Sequence, residues 1–162
     1  MKKIAFILFL FLPLFWISCN DDDDKETKEE LTIDNVKYPV YAIDSEYDSC
    51  NKLFYIGFSL SNPSVVNNDI MFNSWNFNLS NANAGATFTV GDGGGFSSYI
   101  NDLPDFGYAG EAKSGTIKIL EINKSKQTMK VQFIDCIYKK TGSTTDRTLN
   151  GTVSFTYEEE NY

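Results

Sequence analysis

Histidine is missing from all 162 residues, and that absence removes much catalytic chemistry at once. Ser-His-Asp and Cys-His nucleophiles, His-ligated zinc and the HExxH helix all need an imidazole. Cysteine is scarce as well. Cys19, Cys50 and Cys136 are the whole supply, and their separations are not those of metal ligands. Basic residues are outnumbered, 14 Lys and Arg against 22 Asp and Glu. A chain this acidic, with no basic cluster among its aromatics, repels a phosphate backbone, so no nucleic-acid partner is expected. No window holds ten residues of apolar spacing at a period of 3.6, which argues against helices. Carboxylates, hydroxyls, amides and rings remain, and neither a metal nor a cofactor is expected from them.

Long apolar runs are limited to one. Ile4 to Ile17 (IAFILFLFLPLFWI) follows Lys2 and Lys3. Fourteen residues make roughly 21 Å of helix, short of a hydrocarbon core of about 30 Å, and Pro13 interrupts them. Residues 1–18 therefore read as a signal peptide rather than a span. Ile17, Ser18 and Cys19 resemble the lipobox of bacterial lipoproteins, although Trp16 stands where a Leu-like residue is usual. The resemblance implies cleavage before Cys19, a covalent lipid on its thiol, and a membrane partner held through acyl chains alone.

Cys19 and the stretch NDDDDKETKEE after it (residues 19–30) contain nothing that can enter a core, and read as a solvated tether. Asp21, Asp22, Asp23 and Asp24 directly after the cysteine resemble the surface-export signal of Bacteroidota lipoproteins. That likeness implies an outer-membrane protein facing the cell exterior. Removing Lys2 and Lys3 with the leader leaves 12 basic residues against 22 acidic ones, a net charge of −10. Electrostatic docking on anionic lipid is thus disfavoured. With Cys19 acylated, Cys50 and Cys136 stand as either a disulfide closing about 86 residues or two buried free thiols.

Residues 31–162 read as one all-β domain of eight to ten strands. LTIDNVKYPV is a hairpin turning at Asp34 and Asn35. LFYIGFSLS puts Phe54, Ile56, Phe58 and Leu60 on one face, and IMFNSWNFNLS puts Met71, Asn73, Trp75, Phe77 and Leu79 on one. GATFTVGD does the same with Ala86, Phe88 and Val90. In SGTIKILEI the apolar positions change sides, from Ile117 and Ile119 to Leu120 and Ile122, which predicts a bulge near Leu120. TMKVQFIDCIY alternates Met129, Val131 and Phe133, and LNGTVSFTY alternates Leu149, Val153, Phe155 and Tyr157 around Gly151. Leader, tether, opening hairpin and closing strands together resemble the small outer-membrane lipoproteins of Bacteroidota. This implies a single antiparallel β-sandwich or calycin-like β-barrel, with no catalytic residues to carry over.

One stretch invites a functional reading: GDGGGFSSYINDLPDFGYAG, residues 91–110. Tyr99 and Tyr108 offer rings that stack on a sugar, while Asp102 and Asp105 offer oxygen ligands, though without the spacing of an EF-hand. The same residues also suit a long connection folded back over a sheet end. The expected function is non-catalytic binding of a glycan or a surface protein. A calycin-like carrier of a small hydrophobic ligand and a small carboxylate-dependent glycan-processing enzyme remain as alternatives.

Overall fold

The computed structural model describes residues 29–60, 69–91, 93–103, 108–139 and 145–160; the leader, Cys19, Asp21 to Asp24 and Asp105 lie outside them. The strands are β1 (Glu30–Ile33), β2 (Val36–Pro39), β3 (Ala42–Asp48), β4 (Leu53–Ser59), β5 (Asp69–Trp75), β6 (Thr87–Thr89), β7 (Ser97–Leu103), β8 (Tyr108–Asn123), β9 (Thr128–Lys139), β10 (Asp146–Thr156) and β11 (Glu158–Glu160), with a 3₁₀ turn at Leu79–Asn81. The fold is all-β, as expected. The eleventh strand comes from short pieces, since β6 and β11 have three residues each.

Seven of these strands, β3, β4, β5, β7, β8, β9 and β10, pair antiparallel in that order. Six antiparallel steps leave β10 parallel to β3, and the chain uses this. Past Tyr157 it continues as β11, which pairs β3 in parallel from Glu158↔Glu46 to Glu160↔Asp48. The sheet therefore curls until β10 comes back beside β3. Ser45 adds to the seam by donating from its hydroxyl to the Thr156 carbonyl at 2.8 Å. The β1–β2 hairpin rides on β10, turning at Asp34 (φ 52°) and Asn35 (φ 66°) as the sequence predicts. Asp34 also pins it: its carboxylate accepts the Thr148 N–H at 2.9 Å and pairs with Arg147 at 2.6 Å.

Alternation along each strand fills the space inside the curl. Phe58 on β4 and Phe133 on β9 are separated in the sheet by three strands, yet their ring centroids are 5.4 Å apart. Phe72 stacks on Phe133 at 4.4 Å, and Phe54 reaches Phe155 on β10 at 6.3 Å. Each fully buried ring contributes about 1.5–3 kcal/mol, with about 0.5–1.5 kcal/mol more for a well-set pair.

Three irregularities keep apolar residues inward where simple alternation fails. The register shift between Ile119 and Glu121 is the bulge expected at Leu120, and it brings Ile122 opposite buried Met129. Asp135 (φ 47°) resets β9, so Cys136 and Tyr138 follow Phe133 into the core. β10 itself alternates without a break from Leu149 to Val153, both fully buried, and the register shift opposite Gly151 is the extra residue of β9. The third corrects the sequence reading of IMFNSWNFNLS. Ile70, Phe72 and Ser74 face inward while Met71 and Asn73 are half-exposed on the outside, the reverse of the expected face. Asn76 at φ 74° then flips the alternation, and Phe77 and Leu79 turn inward.

Candidate functional site

Residues 91–110 are not one connection. Among the described residues, β7 and β8 occupy most of the stretch, with Leu103 pairing Tyr108. The hairpin replaces the expected loop because Ser98 and Ile100 alternate into the core while Tyr99 points outward. Of the expected ligand-binding residues, Tyr99 is half-exposed on the outer face of β7, Asp102 lies on β7 and Tyr108 opens β8.

Of the two readings left open for Cys50 and Cys136, the structure shows the free thiols, although only one of them is buried. Cys50 is exposed in the β3–β4 turn, whereas Cys136 is fully buried on β9 beneath Gly115, where a Cβ would stand 2.6 Å from the Cys136 Cα. Burial pushes the Cys136 thiol up to about 12.

Tyr99 belongs to a surface that the sequence did not single out. Register aligns Gly57, Met71 and Tyr99 across β4, β5 and β7, with Tyr55, Asn73 and Ser97 in the next row. The Tyr55 ring lies over Gly57, where a Cβ would stand 2.9 Å from its Cζ and 3.1 Å from its Cε1. Glycine there lets the ring lie flat against the sheet. Two interstrand spacings separate this ring from Tyr99, about 10 Å. These two rows carry no charge. Acids border them instead, with Asp44 and Glu46 opposite Gly57 and Tyr55 on β3, and Glu111 opposite Tyr99 on β8.

At the lower end of β5 the sheet has a slot. β7 pairs β8 only up to Glu111, and β6 takes the same edge of β8 from Thr116 to Lys118. β6 pairs no other strand among the described residues, so its outer edge faces β5 across a gap of about 340 Å³. Ser74 and Asn76 stand on the β5 side, Thr87 and Phe88 on the β6 side, and Phe77, Asn78 and Asn81 complete the wall. None of the lining residues is charged, in a chain where 22% of residues are. Its rings are fixed from behind: Phe88 packs on Phe77 at 5.3 Å and on Phe96 at 5.7 Å, and Phe77 stacks on Phe54 at 4.8 Å. Phe88 remains partly exposed. Asn78 fixes the 3₁₀ turn, its side-chain oxygen accepting the Ser80 N–H at 3.0 Å and the Ser80 hydroxyl at 2.6 Å. Lys124 ties that turn to the β8–β9 hairpin by donating to the Ser80 carbonyl at 2.8 Å. The volume lies at the lower end of the range for small-ligand clefts, and rings with a few polar groups are their usual lining.

Two other features compare less well. A depression of about 720 Å³ over the ends of β8, β9 and β10 is larger, but it is open and carries Glu121, Lys126 and Lys130. Lys130 is already beside Glu121 at 3.7 Å. The seam gathers Asp44, Glu46, Asp48, Glu158 and Glu160, none of which lines the slot. Partial loss of water, then the charges of Glu160, Asp44, Asp48 and Glu158, raise the Glu46 carboxyl above its ordinary value. Asp48 goes the other way, held down by hydrogen bonds from the Asn51 backbone and side chain and from the Cys50 N–H. Among the described residues no group of three or more such ligands is placed to hold a metal ion.

No family model, no curated protein and no solved structure matches this chain.

Proposed function

We propose that this chain is a lipid-anchored protein of the bacterial outer surface whose β-domain binds a neutral glycan and catalyses no reaction. Cys19 carries the acyl chains and Asp21 to Asp24 direct the protein outward. The observation that supports binding is the uncharged slot between β5 and β6. Its half-exposed Phe88 offers a flat apolar face, and the Asn76, Asn78, Asn81 and Thr87 side chains offer both donors and acceptors. A sugar presents that combination in reverse, with apolar C–H faces and a rim of hydroxyls. An anionic or cationic ligand would be desolvated there without a partner. The filled interior supports surface binding over an enclosed apolar cargo, since Phe58, Phe72 and Phe133 occupy the space that a carrier would keep open.

The test uses the mature lipoprotein in detergent on an array of neutral glycans. The wild type should bind, and Asn76→Asp, which places a charge in the slot, should lose at least about tenfold in affinity, roughly 1.4 kcal/mol. Failure to bind any neutral glycan, with uptake of an apolar fluorescent probe instead, would transfer the assignment to the carrier reading. Metabolic labelling with an alkyne fatty acid tests the anchor: Cys19→Ser should carry no label.

A further inference from the structure

Ser74 lines the slot from the inner face of β5, where it is 3% exposed and pairs with Phe54 on β4. Its hydroxyl has no hydrogen-bond partner among the described residues. Ser98 on β7 gives the contrast, since it is buried to the same degree yet donates to the Met71 carbonyl at 2.8 Å and lies 2.6 Å from the Tyr138 hydroxyl. A buried hydroxyl left unmet is unfavourable, and it calls for a reason. The surroundings of Ser74 supply one: the cavity that it lines is lined also by Asn76, Asn78, Asn81 and Thr87, all exposed, so one space runs from the surface to this residue. On the way it passes Phe77 and Phe88.

From this we infer that the slot takes the exocyclic hydroxymethyl arm of a hexopyranose, whose primary hydroxyl bonds to Ser74. The inference rests on the glycan reading above and adds which edge of the sugar is read. Hydroxyls set directly on a sugar ring remain near the mouth when the ring stacks on the partly exposed Phe88, whereas a hydroxymethyl group reaches one carbon deeper. Its CH₂ suits the apolar passage beside Phe77 and Phe88, and its hydroxyl, like that of serine, both donates and accepts. Asn78 adds a second requirement. Its side-chain oxygen already accepts the Ser80 N–H at 3.0 Å and the Ser80 hydroxyl at 2.6 Å, so its amide N–H groups are what it can still offer. The ring oxygen of a pyranose can only accept, and it is bonded to the same carbon that carries the arm. Both contacts therefore come from one edge of the sugar. A pentopyranose has no arm, a 6-deoxyhexose ends it in a methyl group, and a uronic acid ends it in a carboxylate that meets no cation among the lining residues.

Removing the hydroxyl from either side tests this. Isothermal titration would set the methyl glycosides of glucose, galactose and mannose, each beside its 6-deoxy analogue, against the mature lipoprotein in detergent. For the sugar that binds, the wild type should prefer the parent by at least about tenfold, roughly 1.4 kcal/mol, because a site built to bond a hydroxyl is left with its own group unpaired when that hydroxyl is missing. Ser74→Ala should bring the parent down to the analogue and leave the analogue unchanged. Its melting temperature without ligand should equal or exceed that of the wild type, since the variant deletes an unmet group. Equal affinity for parent and analogue in the wild type, or a preference that survives in Ser74→Ala, would overturn the inference. A melting temperature several degrees lower in Ser74→Ala would overturn it as well, by showing that the fold itself uses the hydroxyl. Binding of no glycoside in this panel would also overturn it, and with no binding on the neutral-glycan array the glycan reading would fall too.

Discussion

Two buried hydroxyls give the sharpest test of how the interior is held. The Ser98 hydroxyl donates to the Met71 carbonyl at 2.8 Å and lies 2.6 Å from the Tyr138 hydroxyl. Serine has one proton, and with that proton on Met71 the phenol must donate to Ser98. Tyr138 is fully buried and Ser98 nearly so. Burial also pushes the phenol well above its ordinary range, so it remains a donor at any working pH. Tyr138→Phe removes one hydrogen bond but leaves Ser98 bonded to Met71, at a cost of about 1 kcal/mol. Ser98→Ala deletes fewer atoms but strands the phenol in the core, and an unmet buried hydroxyl costs about 1–3 kcal/mol. The double variant strands nothing. Its stability should lie near that of Tyr138→Phe and above that of Ser98→Ala, a sign that simple addition cannot produce. Urea unfolding at equal m-value would measure all three. A double variant lower than Ser98→Ala by the full Tyr138→Phe decrement would show that the two hydroxyls act independently, and the assigned direction of donation would fall with that result.

Three further outcomes are expected. Tyr157 is fully buried and its hydroxyl has no hydrogen-bond partner among the described residues, so Tyr157→Phe should raise stability by about 1 kcal/mol in the same urea assay; a loss would reveal a partner. Cys50 should react with a thiol reagent in the native protein while Cys136 reacts only on unfolding. Since the folded thiol is raised to about 12 from an ordinary value near 9, the stability it contributes is complete below pH 9 and is lost as pH rises toward 12, a decline that Cys136→Ala should lessen. Glu46 has a raised carboxyl, so its contribution is present below its ordinary value of 4.5 and is lost as pH climbs through the raised one; Glu46→Gln should therefore be more stable than wild type at pH 7 and lose that advantage at pH 4 or in high salt.

Much of the strand plan was legible because alternation is a local signal. Phe54, Ile56, Phe58 and Leu60 announce β4 without reference to anything else, and Asp34-Asn35 announces its turn. Even the bulge at Leu120 could be read, since Ile119 and Leu120 cannot both face inward on a regular strand. Pairing between distant strands was not legible: nothing in EEE at residues 158–160 says that it will join β3, for parallel partners carry no mark in composition. The odd number of meander strands sets β10 and β3 running the same way, and the number emerges only when every strand has been placed. Nor could spacing in sequence decide the cysteines, because the fold puts one in a turn and the other under Gly115.

The candidate site was missed for a more specific reason. In NSWNFNL simple alternation places Asn76 and Asn78 on the wet face of a regular strand, opposite Asn73, Trp75, Phe77 and Leu79. A side chain that tolerates φ 74° ends the strand instead. Had alternation continued, Phe77 would have remained on the same face as Met71, in water, and Asn76 would have entered the core beside Ser74. The flip at Asn76 sends Phe77 inward to stack on Phe54, and that ring supports Phe88 from behind. It also takes the chain off the edge that β6 would need for pairing, and the slot is the space left between them. The same residue thus completes the core and opens the site, so a substitution there that keeps the left-handed backbone can separate the two roles, whereas a β-branched residue would disturb both.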